Sequence, residues 1–271
     1  MNIGVFDSGF GGLSILKQIV RILGEYSYVY LGDNARAPYG GRSQDVIYEF
    51  TRQGVEFLFN NDCSLVILAC NTATASALRR LQQEWLPVHH PDRRILGIII
   101  PVVEALGTNS NQGPVGIIGT RATVASQAYI YECNKRCPQP IQLIQQACPL
   151  LVPLIEEGWE HTAPMRMILK RYLRPLKLKK IRVLILGCTH YTFLFKTIHA
   201  IMGRRVRILD SGTIVAHSLL IYLKRHPEID NTLSKKTLVD FYTTALTPRA
   251  KELAARFWGS ALNARTACID S

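Results

Sequence analysis

Short apolar runs alternate with longer amphipathic stretches along the whole chain. The runs predict strands at residues 3–6, 28–31, 65–69, 95–99, 115–118, 141–144, 183–186, 206–209 and 239–242. Runs of four or five apolar residues without a polar alternate are typical of strands that are covered on both faces. Such strands, separated by helical stretches, predict the α/β class with doubly wound parallel sheets.

The chain also repeats its own pattern. Residues 3–6, followed by Asp7, are echoed 112 positions later by residues 115–118, and the strand before Cys70 is echoed by the strand before Cys188. Two echoes in the same order predict two similar, pseudo-symmetric lobes with a cleft between them, although buried strands also resemble one another by chance. The predicted first lobe is discontinuous, 1–100 plus 207–271, and the second is 101–206. A polar break at 107–114 lies near the middle.

Composition narrows the protein class. The chain has 271 residues, of which 48% are hydrophobic and 19% charged, which is typical of a globular protein. No basic N-terminal region precedes a long apolar run, and the apolar stretches are shorter than the roughly 20 residues that span a bilayer. We therefore expect a soluble, cytoplasmic protein without a membrane partner. Seven cysteines without the spacing of a small disulfide scaffold indicate reduced thiols.

The chain carries a formal net charge of +12, which favours anionic partners such as small carboxylates, phosphates or nucleic acid. Much of the excess lies at 170–182 and 204–207. A solvated helical face explains these runs. A nucleic-acid partner is the alternative, but no aromatic interleaving or known reader motif supports it.

Two cysteines stand where chemistry is expected. Cys70 and Cys188 each follow a predicted strand and precede small hydroxyl-bearing residues, at the strand ends where α/β sheets bind ligands. Free N–H groups at a helix start can lower a thiol pKa and can hold a carboxylate. Either cysteine alone is equally well explained as a small buried residue. As a pair across a cleft, one thiolate could remove an α-proton while the other thiol delivers one to the opposite face, which inverts the stereocentre.

Five segments together resemble the bacterial glutamate racemases. They are DSGFGGL from Asp7, GDNARAPYG from Gly32, ACNTAT from Ala69, GTRATV from Gly119 and GCTHY from Gly187. The match runs from the N-terminus to at least Gly212, in order and at plausible spacing.

The resemblance implies a cofactor-independent, metal-free enzyme that interconverts L- and D-glutamate and supplies D-glutamate for peptidoglycan. It implies a glutamate substrate and allows a homodimer. It assigns catalysis to Cys70 and Cys188, with supporting roles for Asp7, His190 and Glu156, although Glu157 is an alternative to Glu156. It assigns substrate contacts to Asp7, Ser8, Pro38, Tyr39, Gly40, Asn71, Thr72, Thr120, Thr123, Thr189 and His190.

Two positions depart from the family pattern. Thr192 replaces a usual proline after His-Tyr, so a rigid turn is lost and the His190 loop is expected to be less fixed; Thr192→Pro is predicted to raise turnover. Asn34 replaces a usual threonine. Neither change removes a catalytic group.

The sequence is also compatible with rival functions. The glycine-rich turn at 9–12, with Asp33 after the next strand, nearly matches a dinucleotide-binding fingerprint, but it leaves the two thiols unexplained. A related aspartate or hydantoin racemase shares the two-thiol plan. A catalytically weak or inactive protein that binds an anionic partner is the non-enzymatic alternative. Cys133 and Cys137 are half a metal site at most, and Cys63, Cys148 and Cys268 carry no signature.

Overall fold

The computed structural model describes residues 1–107 and 113–269, so most of the predicted polar break lies outside the described residues. Ten strands occur within these two ranges: β1 Asn2–Asp7, β2 Tyr28–Gly32, β3 Cys63–Leu68, β4 Arg94–Gly97, β5 Val115–Gly119, β6 Leu143–Ala147, β7 Val183–Gly187, β8 Arg207–Ile208, β9 Val239–Thr243 and β10 Ala264–Thr266.

Thirteen α-helices occur in the described residues: α1 Leu13–Ile22, α2 Gln44–Asn60, α3 Asn71–Arg80, α4 Leu86–His89, α5 Ile99–Gly107, α6 Arg121–Ala125, α7 Ala128–Arg136, α8 Leu151–Glu156, α9 Ala163–Leu178, α10 Phe195–Met202, α11 Ser211–Arg225, α12 Pro227–Asp230 and α13 Pro248–Trp258. Short 3-10 helices cover Tyr39–Gly41 and Thr189–Leu194, and a π-helical turn covers Leu81–Trp85. In this part of the chain, no helix is both long and apolar enough to cross a membrane.

The strands form two separate sheets in which every pairing is parallel. The first sheet has six strands in the order β10-β9-β2-β1-β3-β4, and the second has four in the order β6-β5-β7-β8. Parallel neighbours need crossover connections, which the helices supply. The predicted doubly wound α/β architecture with two similar lobes is therefore confirmed.

Both sheets are covered on both faces. On β1, Ile3 and Val5 join one hydrophobic cluster while Phe6 joins another on the opposite face. On β7, Val183 and Ile185 likewise point away from Leu184 and Leu186. Alternate residues of a strand face opposite sides, so continuous apolar runs are what two covered faces require.

All nine predicted strands occur, with shifted ends. The prediction for 95–99 was wrong at its end, because Ile99 already begins α5. Strand β10 was missed, since Ala-Arg-Thr contains no apolar run and pairs on one side only, at the sheet edge. Strand β8 belongs to the second sheet, which thus extends to Ile208, two residues into the segment assigned to the first lobe. The lobe boundaries themselves stay a prediction.

Candidate active site

The carboxyl ends of four strands carry the polar residues of the site. Strand β1 ends at Asp7, and Cys70 follows β3 as the N-cap of α3, where its Sγ accepts a hydrogen bond from the Ala73 N–H at 3.4 Å. In the second lobe, Thr120 caps α6 and Cys188 precedes the 3-10 turn after β7. Ending a buried parallel strand on a polar residue places these groups at the edge of the sheet where α/β proteins bind ligands.

A cavity of about 190 Å³ joins the two lobes at these strand ends, and both cysteines line it. Twelve of the predicted site residues line it: Ser8, Pro38, Tyr39, Gly40, Cys70, Asn71, Thr72, Thr120, Glu156, Cys188, Thr189 and His190. The predicted contacts Asp7 and Thr123 do not line it. Both are buried, and Thr123 bonds to the hydroxyls of Thr72 and Thr120.

On the first lobe, Cys70 is a thiol held among polar groups. Its Sγ lies 3.2 Å from the hydroxyl of Ser8. Burial, and next the charge of nearby Asp7, raise the pKa of the Cys70 thiol to about 12. Burial also raises the pKa of the Asp7 carboxyl, against the opposing effect of His190 and the N–H groups of Gly9 and Gly12. At neutral pH the Cys70 side chain therefore carries its proton.

On the second lobe, Cys188 lies beside an imidazole that is held at both ring nitrogens. His190 Nδ1 is 4.0 Å from Cys188 Sγ, and its Nε2 is 3.0 Å from Glu156 Oε1. Burial lowers the pKa of His190, but the bonds to Cys188 and Glu156 outweigh burial and raise this pKa to about 10. An imidazolium at this position stabilises a thiolate.

Two further contacts define the surroundings of His190. Glu157 is exposed and lies 3.9 Å from Arg249, so the carboxylate that meets His190 is that of Glu156. The hydroxyl of Thr192 donates to the Thr189 carbonyl at 2.9 Å, which ties the turn where the family has proline. The expected looseness of this loop and the gain from Thr192→Pro stay predictions.

The lobes meet closely around the cavity. The Thr72 hydroxyl of the first lobe lies 3.0 Å from that of Thr120, and Tyr129 donates to Asn71 Oδ1 at 2.7 Å. A Cβ on Gly11 would lie 2.2 Å from Thr189 Oγ1 and 2.6 Å from His190 Nδ1. Glycine is therefore required there because the opposite lobe leaves no room for a side chain.

Several cavity residues escaped the sequence reasoning. Arg121, Cys148, Pro149, Val152 and Pro153 also line the cavity. Cys148 directly follows β6, the same placement that singled out Cys70 and Cys188. The sequence did not show that Cys148 follows a strand, because the apolar run predicted the strand to end at 144, whereas β6 continues through two glutamines to Ala147.

The structure does not favour the dinucleotide alternative. The carboxylate of Asp33 is fully buried, and it accepts hydrogen bonds from Arg36 at 2.7 Å, from Thr244 at 2.9 Å and from Tyr39. A carboxylate that is buried and already accepts these hydrogen bonds is not accessible to the hydroxyls of a ribose. Within 1–107 and 113–269, no group of three or more His, Cys, Asp or Glu side chains could hold a metal ion.

Comparisons with known proteins agree with this geometry. Residues 3–219 match the family model described as Asp/Glu/Hydantoin racemase. The chain is 39% identical over 269 residues to a glutamate racemase of Roseobacter denitrificans, covering 95% of this chain and 96% of that protein. It is 36% identical over 261 residues to one of Streptococcus agalactiae, with 96% of each chain covered.

Two solved structures share the whole fold. The glutamate racemase of Bacillus anthracis superposes with a TM-score of 0.89 at 33% identity, covering 98% of this chain and 97% of that one. The Francisella tularensis enzyme, solved in complex with D-glutamate, gives 0.88 at 30% identity, with 99% and 98% covered. With two sheets, two strand-end thiols and this likeness over nearly its full length, the chain belongs to the Asp/Glu/Hydantoin racemase family.

Proposed function

We propose that this protein is a glutamate racemase that works without a cofactor, with Cys70 and Cys188 as its acid and base. The observation that carries the proposal is that two thiols, each placed by a parallel strand of a different lobe, line one cavity of about 190 Å³. The full-length likeness to glutamate racemases supports glutamate as the substrate.

The two thiols are prepared unequally. Burial raises the pKa of Cys70 to about 12, so this residue holds a proton that it can deliver, whereas the imidazolium of His190 places a positive charge beside the sulfur of Cys188. In this resting state Cys188 removes the α-proton and Cys70 delivers one to the opposite face. After turnover the protonation states are exchanged, and the reverse direction begins from that form.

The supporting groups act through the thiols. Glu156 holds the ring of His190 and stabilises its charge through the 3.0 Å bond. Asp7 lies beside Cys70 and raises its pKa, and as a carboxylate it is the group able to accept the Cys70 proton when that residue acts as base.

The cavity also offers donors for carboxylates. Because Asn71 Oδ1 accepts from Tyr129, its Nδ2 amide is left to donate, and the hydroxyls of Thr72, Thr120 and Thr189 stand nearby on the cavity wall. The starts of α3 and α6 add free N–H groups, which attract anions. Hydrogen bonds around the α-carboxylate stabilise the carbanion-like transition state, since its developing charge falls there.

The proposal extends to the biological setting. D-Glutamate made here would supply peptidoglycan synthesis, and the enzyme would act in the cytoplasm. The family resemblance allows a homodimer. Light scattering on a sizing column tests the dimer.

The test is chiral chromatography of purified protein incubated separately with L-glutamate and L-aspartate. We expect racemisation of glutamate, with much slower turnover of aspartate, and loss of at least a thousandfold in rate for Cys70→Ser and Cys188→Ser, since each lacks one of the two groups. Faster turnover of aspartate would reassign the substrate. Parent activity in either variant, with the fold intact by circular dichroism, would refute the two-thiol mechanism.

A further inference from the structure

One segment of the second lobe accounts for the whole net charge. Residues 161–209 contain twelve Lys and Arg and no Asp or Glu, while the chain as a whole has 32 basic and 20 acidic residues. The other twenty basic residues thus balance the twenty acidic ones. The acids that flank the segment are engaged elsewhere, because Glu160 pairs with Arg256 at 2.6 Å and Asp210 caps α11.

These basic residues are exposed and lie together. We define the basic face as the outer side of α9, the turn at 179–182 and the turn at 203–207; its members are Arg166, Lys170, Arg171, Arg174, Lys177, Lys179, Lys180, Arg182, Arg204, Arg205 and Arg207. Lys177 Nζ donates to the Ile201 carbonyl at 3.1 Å, and the N–H of Arg207 donates to the Arg182 carbonyl at 2.9 Å. Both turns precede strands of the second sheet, whereas the cleft lies at the opposite, carboxyl ends.

Two large apolar side chains stand within this face. Met167 and Leu178 are each 71% exposed, although both belong to α9. Eleven residues of α-helix make about three full turns, so the two side chains share one side of the helix, about 16 Å apart. Arg171 and Arg174 lie between them on the same side. Apolar groups are thus framed by unbalanced positive charge.

This combination distinguishes between polyanions. Nucleic-acid phosphates would neutralise the charges but offer nothing to Met167 or Leu178, and no exposed aromatic side chain stands among the basic residues of α9 for stacking on bases. The surface of an anionic bilayer takes both groups, because lipid phosphates attract Lys and Arg while the interfacial region accepts apolar side chains.

We propose that the basic face docks this protein on anionic phospholipid surfaces. Docking of this kind needs no spanning segment. It rests on the surface charge of the second lobe and is independent of the proposed racemase function. Because the two basic turns lie at the end of the sheet away from the cleft, docking through them leaves the substrate cavity accessible.

The test is cosedimentation of the full chain with vesicles of phosphatidylcholine alone or of equal parts phosphatidylcholine and phosphatidylglycerol. We expect binding to the anionic vesicles only, and its loss at 0.5 M salt because the charges are then screened. The variant R171Q/R174Q/K179Q should bind about a hundredfold more weakly, since each basic residue near such a surface contributes roughly fivefold. The control K224Q/R225Q/K236Q removes the same charge from the first lobe and should bind like the parent.

A second variant separates lipid from nucleic acid. M167S/L178S keeps every charge and should weaken vesicle binding about tenfold, because the apolar contribution is lost. Binding of a 20-base-pair DNA duplex to the parent and to M167S/L178S is measured by fluorescence anisotropy. Three results would each overturn the proposal. The first is equal binding to both vesicle types, and the second is an equal effect of the two charge variants. The third is tighter binding to the duplex than to vesicles, with vesicle binding unchanged in M167S/L178S. Circular dichroism of each variant, compared with that of the parent, reports that it is folded.

Discussion

Replacing Glu156 with glutamine tests how the second thiol is activated. The Glu156 carboxylate lies 3.0 Å from His190 Nε2, and His190 Nδ1 faces Cys188 Sγ at 4.0 Å. Glutamine keeps the shape of the side chain and a carbonyl oxygen that can accept from Nε2–H, but it removes the charge. The substitution therefore lowers the pKa of His190 without leaving a cavity at position 156.

The expected magnitude follows from the difference between a charged and a neutral hydrogen bond. A bond to a charged group contributes about 1.5–3 kcal/mol and a neutral one about 1 kcal/mol, so the loss is about 1.4 kcal/mol. The Glu156 side chain is 30% exposed, so water screens part of the charge and the larger values are not reached. A loss of this size corresponds to about tenfold in rate and to a fall of about one unit in the pKa of His190.

The assay is the initial rate of racemisation from each enantiomer between pH 6 and 10. We expect kcat of Glu156→Gln to fall about tenfold and the basic limb of its profile to begin about one pH unit lower. The equilibrium constant of a racemisation is unity, so kcat/KM must fall equally in both directions. Glu157→Gln is the matched control, because Glu157 is exposed and near Arg249, and it should stay within about twofold of the parent. Parent activity for Glu156→Gln, or equal losses in both variants, would refute the role given to Glu156.

Three further predictions concern pH, packing and cofactors. Since the pKa of His190 is raised from 6.5 to about 10, protonated His190 stabilises the fold below pH 6.5, and this contribution is lost as pH rises through 10. The melting temperature of the parent should therefore fall toward that of His190→Asn over this range. A constant difference in melting temperature between the two proteins at every pH would contradict the prediction. Gly11→Ala should lower turnover at least tenfold because its methyl group meets Thr189 and His190. Parent turnover in this variant would show that the two lobes move apart to make room for the methyl group. Exhaustive dialysis against a chelator should leave turnover intact, and a loss that metal or pyridoxal phosphate restores would disprove cofactor independence.

Much of the fold could be predicted from the sequence because buried parallel strands have a strong signature. Strands such as β1 and β7 are apolar on both faces, so an uninterrupted run of apolar residues identifies them in the sequence. Strand β10 has no such signature, since an edge strand with exposed residues is held by backbone pairing to β9 rather than by burial. Strand β6 is similar, because its glutamines interrupt the apolar run.

The site was predictable where one residue is defined by its own strand end. Cys70 and Cys188 met that condition, and both line the cavity. Contacts between the lobes could not be predicted, because the approach of Gly11 to Thr189 or the bond from Tyr129 to Asn71 depends on how two distant parts of the chain pack. The choice between Glu156 and Glu157 likewise required the position of His190.

The central claim, that two thiols act from opposite faces, is tested most directly by isotope content at initial velocity. L-Glutamate is incubated with the enzyme in D2O, the reaction is stopped within the first few per cent of conversion, and the α-position of each enantiomer is analysed by mass spectrometry after chiral separation. If Cys188 removes the proton and Cys70 delivers another, the D-glutamate formed carries deuterium and the remaining L-glutamate keeps protium. Protium carried from substrate into D-glutamate would show that one group both removes and returns the proton, and would contradict the two-thiol account.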